Sequence, residues 1–249
     1  MIIDPILING KIGLPDSFSF PIKDAGFLYG FGVFETIRID DRNASLWGFH
    51  LERIESSCKD LGIHLSISRE QLTKWMAQYL DQLDVTEGVM NVYVTAGDRD
   101  YSQPGFVFAT PNIIMTLRSR KLPVFPEIIK CQVKFVSHSE TSRHKTMAYL
   151  PHLIQAMEAG NSQPIYVDNE DRLMETPMAN IWLKLDGIWV TPEHPNVLPG
   201  VMRRHLLTNG TDVLGCKTAT RILTQNDLSQ AEAIALSNAV IGFQKAELV

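Results

Sequence analysis

Hairpin signals lie in both halves of this chain, and what separates them is irregular. Asn9-Gly10 follows the first apolar run, and Asp186-Gly187 joins two apolar runs between Ile181 and Val190. Both dipeptides tolerate the positive φ angles of a two-residue type I′ turn, so each predicts a pair of antiparallel strands. Helical patterns fall between them, but without the regular strand–helix–strand rhythm of an open parallel sheet. The expected class is α+β, mixed helices and hairpins, and not a doubly wound fold.

The remaining periodicities fill in that outline. Gly32 to Ile39 alternates in part and reads as a strand, as do Val89 to Thr95 and Ile113 to Leu117. His50 to Leu61 sets Leu51, Ile54, Cys58 and Leu61 at steps of three and four, a short amphipathic helix. Ser68-Arg69-Glu70-Gln71 has the form of a capping box and opens a helix along Leu72, Trp75, Met76 and Leu80. Pro123 and Pro126, beside Arg120 and Lys121, make 121–127 the linker between an N-terminal domain, 1–120, and a C-terminal one, 128–249. The C-terminal part opens on a strand-like stretch, 128–136, followed by a helix ending near Gly160. Val201 to Leu207 then reads as helical, and 231–243 as strand and turn around Ser237-Asn238.

Composition narrows the function. A chain of 249 residues, 45% hydrophobic and 20% charged, can bury a full core. Its net charge of −5 offers no basic field for a nucleic-acid backbone. Cys58, Cys131 and Cys216 are far apart, without CxxC spacing, and the seven histidines show no metal-binding pattern. No apolar run approaches a membrane span, and the start lacks a signal-peptide pattern. A soluble protein of the reducing cytoplasm is expected, with a small-molecule substrate and neither a nucleic-acid nor a membrane partner.

Chemistry enters with Lys145 and Glu175. A lysine can condense with an aldehyde cofactor, and a carboxylate can keep a pyridine nitrogen protonated. An arginine such as Arg53 and a glycine-led helix start such as Gly200-Val201 can hold a phosphate. Most lysines are solvated surface charges, but Met147, Tyr149, Leu150 and Leu153 mark an apolar wall behind this one. Such a wall favours the neutral, nucleophilic amine.

Five segments then carry a resemblance: Tyr29-Gly30-Phe31-Gly32-Val33-Phe34-Glu35-Thr36-Ile37-Arg38, His50-Leu51-Glu52-Arg53, the Lys145 segment, Glu175 to Asn180 with Leu198 to Arg203, and Ser237-Asn238-Ala239. In order and spacing they resemble the class IV pyridoxal phosphate enzymes, which include branched-chain and D-amino-acid aminotransferases and 4-amino-4-deoxychorismate lyases. The resemblance implies the two-domain, fold type IV architecture, with pyridoxal 5'-phosphate between the domains, the Schiff-base lysine in the larger C-terminal one, and a homodimer. By the same resemblance Lys145 carries the cofactor and Glu175 meets its pyridine nitrogen. Arg53 and the backbone of Val201, Met202, Asn238 and Ala239 hold the phosphate, and Tyr149 packs near the ring hydroxyl. Thr36 places a hydroxyl beside the substrate, with Tyr29, Arg38 and Arg99 on the substrate's own side. Arg99 lies in a loop, 97–101, that resembles one reaching a neighbouring subunit's site.

Four departures from the family pattern stand out. Met202 and Ala239 lie where the aminotransferases often carry hydroxyls, Phe31 replaces an aspartate, and Ala148 replaces an asparagine. Met202 and Thr36 resemble the lyase branch. The implied activity is a pyridoxal phosphate-dependent lyase giving 4-aminobenzoate and pyruvate for folate biosynthesis. The alternative is an aminotransferase for branched-chain or D-amino acids with a 2-oxo acid acceptor.

Overall fold

The computed structural model describes residues 3–100, 102, 107–108, 110–136 and 143–249. They form two compact units, Met1–Pro123 with Lys145–Ala148, and Val124–His144 with Tyr149–Val249. The first stretch of the first unit ends at Pro123, and the chain returns to that unit for the four residues Lys145–Ala148.

The first unit is built on strands β1 (Ile3–Ile8), β2 (Lys11–Gly13), β3 (Gly32–Asp40), β4 (Asn43–Ala44), β5 (Glu87–Thr95) and β6 (Ile113–Ser119). They form one sheet in the order β2-β1-β6-β5-β3-β4, with every neighbouring pair antiparallel. Asn9 and Gly10 take φ of 49° and 80° between β1 and β2, as a tight hairpin requires. Helices α1 (Ala25–Tyr29), α2 (Trp47–Asp60) and α3 (Arg69–Leu83) complete the unit. The Ser68 hydroxyl accepts from the Gln71 N–H at 3.2 Å, so the predicted cap of α3 is formed.

Strand β3 shows how this sheet sorts its residues. Its alternation sends Val33, Ile37 and Ile39 into a core with Met90, Val92 and Val94 of β5 and Leu51, Ile54 and Cys58 of α2. Each such side chain contributes about 1.5–3 kcal/mol on full burial. The opposite face of the strand carries Phe34, Thr36 and Arg38, all half-buried.

The second unit holds β7 (Ile129–Phe135), β8 (Gln163–Val167), β9 (Asn180–Leu185), β10 (Ile188–Pro192), β11 (Thr218–Arg221), β12 (Ala233–Asn238) and β13 (Gly242–Leu248). Their order is β11-β10-β9-β12-β13-β7-β8, a mixed sheet with parallel pairs at β10–β11, β13–β7 and β7–β8. Helices α4 (Leu150–Glu158), α5 (Val201–Leu214) and α6 (Gln225–Gln230) accompany it. Along β9, Ile181 and Leu183 enter one core cluster while Trp182 joins Leu206 of α5 and Ala235 of β12 in another. Both faces of this sheet are therefore buried, which explains why its strands read as apolar runs without clean alternation. Among the described residues no helix is long and apolar enough to cross a membrane, and no group of metal ligands forms.

Candidate functional site

In the first unit the start of β3 holds the Lys145 segment at two points. The Phe34 N–H donates to the Lys145 carbonyl at 2.9 Å, and the Met147 N–H donates to the Gly32 carbonyl at 2.9 Å. The Lys145 side chain then lies over the Phe34 ring, its Nζ 4.2 Å from the ring centroid. A cation over an aromatic face gains about 0.5–2 kcal/mol, according to how well it is desolvated. The apolar wall expected from the sequence takes a different form. Leu150 and Leu153 are 65% and 45% exposed on α4, and the surface beneath the amine is Phe34, itself stacked with Tyr93 at 5.9 Å.

Thr36 is the next residue on the Phe34 face of β3, so one pleat sets the hydroxyl and the ring under Lys145 on the same side. Arg38 follows on that face, where its guanidinium bonds the Asp40 carboxylate at 3.0 Å. Tyr29 ends α1 and is exposed. Arg99 is half-buried and forms a backbone bridge to Phe108; Tyr101 of the same loop lies outside the described residues. The Phe31 ring meets Phe108 edge-on at 4.9 Å and packs on the first core, so the missing aspartate has become a hydrophobic anchor. Gly30, at φ 65°, approaches the Ala148 backbone so closely that a Cβ there would meet it at 3.0 Å.

Arg53 faces inward from α2. Its Nε and Nη2 donate to the two Glu35 carboxylate oxygens at 2.7 and 2.6 Å, a fork-to-fork pair. The second of those oxygens also lies 2.6 Å from His50 Nδ1. Burial by itself raises the Glu35 pKa, but the Arg53 charge and the hydrogen bonds from His50 and Arg53 outweigh it and lower the carboxyl to about 2.

In the second unit Glu175 is 6% exposed and clamped by neutral donors. The Asn180 side-chain amide donates to one carboxylate oxygen at 2.9 Å, and the Leu198 N–H donates to the other at 2.9 Å. That same amide donates to the Leu198 carbonyl at 3.0 Å, so Asn180 ties the glutamate to the turn opening α5. Gly200 ends this turn, and a Cβ there would overlap the Asn180 side-chain oxygen. Only glycine fits the position. It also caps α5 without a side-chain hydrogen bond, leaving the first-turn N–H groups, Val201 and Met202 included, to other acceptors. Arg203 spans Thr191 and the Pro192 carbonyl; burial lowers its pKa against the opposing charges of Glu175 and Glu193.

Tyr149 and Asn238 meet the turn that follows Glu175. The Tyr149 hydroxyl donates to the Pro177 carbonyl at 2.6 Å, and the Asn238 amide donates to the Met178 carbonyl at 2.9 Å. Asn238 Oδ1 accepts from the N–H groups of Val240 and Ile241, which shapes the turn containing Ala239. Tyr166 stands near: burial pushes its phenol up, and the charges of Tyr149 and Glu175 add to that. Met202 packs on the Trp182–Leu206–Ala235 cluster. Its thioether fills apolar space where the family pattern often has a hydroxyl.

Sequence reasoning passed over Glu35, His50 and Asn180. A signal for the first two was present: Glu35 falls on the core face of β3 between Val33 and Ile37. His50 and Arg53 are three apart on α2, and His50 is buried beside Leu51 and Ile54. An inward carboxylate facing an inward arginine and histidine asks to be paired. Asn180 gave no comparable signal, because its second acceptor, the Leu198 carbonyl, lies across a turn that no periodicity reports.

Comparison with known proteins bears on the whole of this arrangement. The chain is 29% identical to the aminodeoxychorismate lyase of Bacillus subtilis (strain 168) over 95% of its length and 83% of that protein's. It is 24% identical to a putative branched-chain-amino-acid aminotransferase of Methanocaldococcus jannaschii over 93% of its length and 83% of that protein's. Among solved structures, a hypothetical aminotransferase from Mycobacterium tuberculosis, described as a PLP-bound form, superposes with a TM-score of 0.79 at 18% identity. That match covers 98% of this chain and 91% of the other, and shows a shared fold. The family model for class IV amino-transferases matches residues 32–248, a span that takes in β3 with Thr36, the Arg53 helix, Lys145, Glu175 and the start of α5. The chain belongs to the class IV aminotransferase family.

Proposed function

We propose that this chain is a 4-amino-4-deoxychorismate lyase, releasing 4-aminobenzoate and pyruvate. The observation that carries the reading is Thr36, whose hydroxyl shares a strand face with the Phe34 ring beneath Lys145. The Bacillus subtilis relative supports the same choice.

The class IV family is pyridoxal phosphate-dependent, and the residues present fit that cofactor. Gly200 gives a helix start whose crowding excludes any Cβ and whose first turn has no side-chain cap, a suitable cradle for a phosphate. Backbone N–H groups of Val201, Met202, Asn238 and Ala239, and the Arg53 guanidinium, are the groups proposed for the phosphate. Glu175 would meet the pyridine nitrogen, Tyr149 the ring hydroxyl, and Lys145 the aldehyde carbon. When bound, the cofactor supplies an electron sink for the charge left at the substrate's reacting carbon.

The chain's own residues would act around that sink. Lys145 takes the proton from the amine-bearing ring carbon, and the Phe34 face favours the protonated amine that results. Glu175, held between the Asn180 amide and the Leu198 N–H, keeps its charge aimed at one point. Thr36 can donate to the ether oxygen as the ring C–O bond breaks, so that the enolpyruvyl group leaves as pyruvate. Aromatisation of the ring drives the step, and no second keto acid is required. Arg38, Arg99 and Tyr29 are the groups for the substrate carboxylates. A cytoplasmic homodimer serving folate biosynthesis belongs to the same reading.

The Methanocaldococcus jannaschii relative favours a second reading, an aminotransferase for branched-chain or D-amino acids. Both are tested together on the cofactor-loaded protein. Aminodeoxychorismate should give 4-aminobenzoate and pyruvate with no amino acceptor present. If neither product forms while leucine or D-alanine reacts with 2-oxoglutarate, the chain is an aminotransferase and the lyase reading is wrong.

A further inference from the structure

The Glu35–His50–Arg53 group is sealed at one end and open at the other. Glu35 and His50 side chains are 2% and 0% exposed, while Arg53 keeps 10%. A buried ion pair gains little stability over apolar residues of the same volume, because desolvation offsets the attraction. What such a pair does well is hold a guanidinium plane in one orientation. Here Glu35 occupies the Nε–Nη2 edge of Arg53 through two bonds, and His50 Nδ1 bonds one of the same carboxylate oxygens from the neighbouring turn of α2. The carboxylate is fixed in turn by β3, which pairs with β5 without a break from Gly32 to Asp40. Two residues of β3 that flank Glu35, Phe34 and Thr36, face the other way, toward Lys145. One rigid strand thus sets the reacting amine on one side and the arginine on the other.

We propose that Glu35, steadied by His50, is a positioning residue that orients Arg53 to grip the cofactor phosphate. The inference rests on the reading of Arg53 as a phosphate ligand. It predicts that Glu35 governs recognition of the phosphate in particular, and not cofactor binding in general.

The test compares pyridoxal 5'-phosphate with unphosphorylated pyridoxal, titrated by absorbance into the apo-protein. The ratio of the two dissociation constants isolates the phosphate. Glu35→Gln should weaken pyridoxal phosphate roughly tenfold, the scale of a lost charge-assisted hydrogen bond, and leave pyridoxal unchanged. Glu35→Asp keeps the charge but shortens its reach; it should lower the ratio as well and serves if the glutamine variant does not fold. Arg53→Ala should collapse the ratio, and adding Glu35→Gln to it should change nothing more. An unchanged or tighter ratio in both Glu35 variants, with the ratio lost in Arg53→Ala, overturns the positioning role and leaves the phosphate reading standing. A ratio that survives Arg53→Ala overturns the phosphate reading itself, and the role of Glu35 with it.

Discussion

Two buried glutamates, one in each unit, are held in opposite ways. Glu35 is gripped by charged and titratable partners, Arg53 and His50, from a helix packed on its strand. The hydrogen bonds that hold Glu175 come from an amide and a backbone N–H within turns of the second unit. A carboxylate neutralised by an arginine has spent its charge on geometry. Glu175 takes its hydrogen bonds from the neutral dipoles of Asn180 and Leu198, and Arg203 acts on it through charge without the fork-to-fork pairing that Arg53 makes with Glu35. The difference teaches which of the two is suited to meet a protonated ring: burial alone does not distinguish them, but the identity of their donors does.

The widest test removes the lysine read as bonding the cofactor that both glutamates are read as serving. Lys145→Ala should reduce turnover by at least about a thousandfold, the upper range for loss of a proton-transferring side chain. It should also abolish the absorbance band that the cofactor acquires on bonding to the lysine. Full activity in this variant would overturn the site as a whole.

The two glutamates are then set against each other. Glu175→Gln should lower turnover by about 10²-fold or more while changing cofactor affinity far less, since an amide cannot balance a ring proton. Glu35→Gln should show the reverse, a loss of affinity larger than the loss of turnover in cofactor-saturated protein. If the two variants behave alike in a titration followed by a rate measurement, the contrast drawn from their donors is wrong.

Gly200→Ala strikes the turn that joins Glu175 to α5. The added methyl overlaps the Asn180 oxygen, so either Asn180 releases Glu175 or the helix start shifts. Such overpacking costs about 1–3 kcal/mol, and thermal unfolding should register it. Weaker binding of pyridoxal phosphate should accompany it. Gly187→Ala, at a hairpin tip with open space around it, is the control for a plain glycine effect, although its φ of 75° adds backbone strain.

What could be read in advance follows the range of the forces involved. Both Asx-Gly hairpins, the Ser68 cap and the α2 stripe are local, and each is found where its residues predict it. Strand β8, strand β11 and helix α6 were not legible. The two strands are short, and their places depend on parallel pairings such as Cys131↔Gln163 and Trp189↔Thr218 that no local pattern encodes, whereas α6 has a local Thr224–Asp227 capping box but only six residues. The candidate site divides the same way. Lys145, Glu175, Arg53 and Gly200 stand in recognisable sequence segments, whereas the ring beneath Lys145 and the partners of Glu175 and Arg53 come from 5 to more than 100 positions away. Chemistry-bearing residues were visible; the groups that aim them were not.

The smallest effect is expected in acid, and it again separates the two glutamates. Glu35 has its pKa lowered from 4.5 to about 2, chiefly by Arg53 against the cost of burial. Below the ordinary carboxylate value the unfolded chain takes up a proton that the folded chain refuses, so stability rises with pH across that window. The contribution of Glu35 is therefore complete above about 4.5 and lost as the pH falls toward about 2. Urea unfolding across this range should show wild type and Glu35→Gln converging as the solution is acidified, with the gap between them widest near neutrality. A gap that stays constant down to the lowest pH would mean that Glu35 contributes shape and not charge. Arg53 would then be held by packing, and the distinction between a carboxylate used to orient and one used to offer charge would have to rest on Glu175 alone.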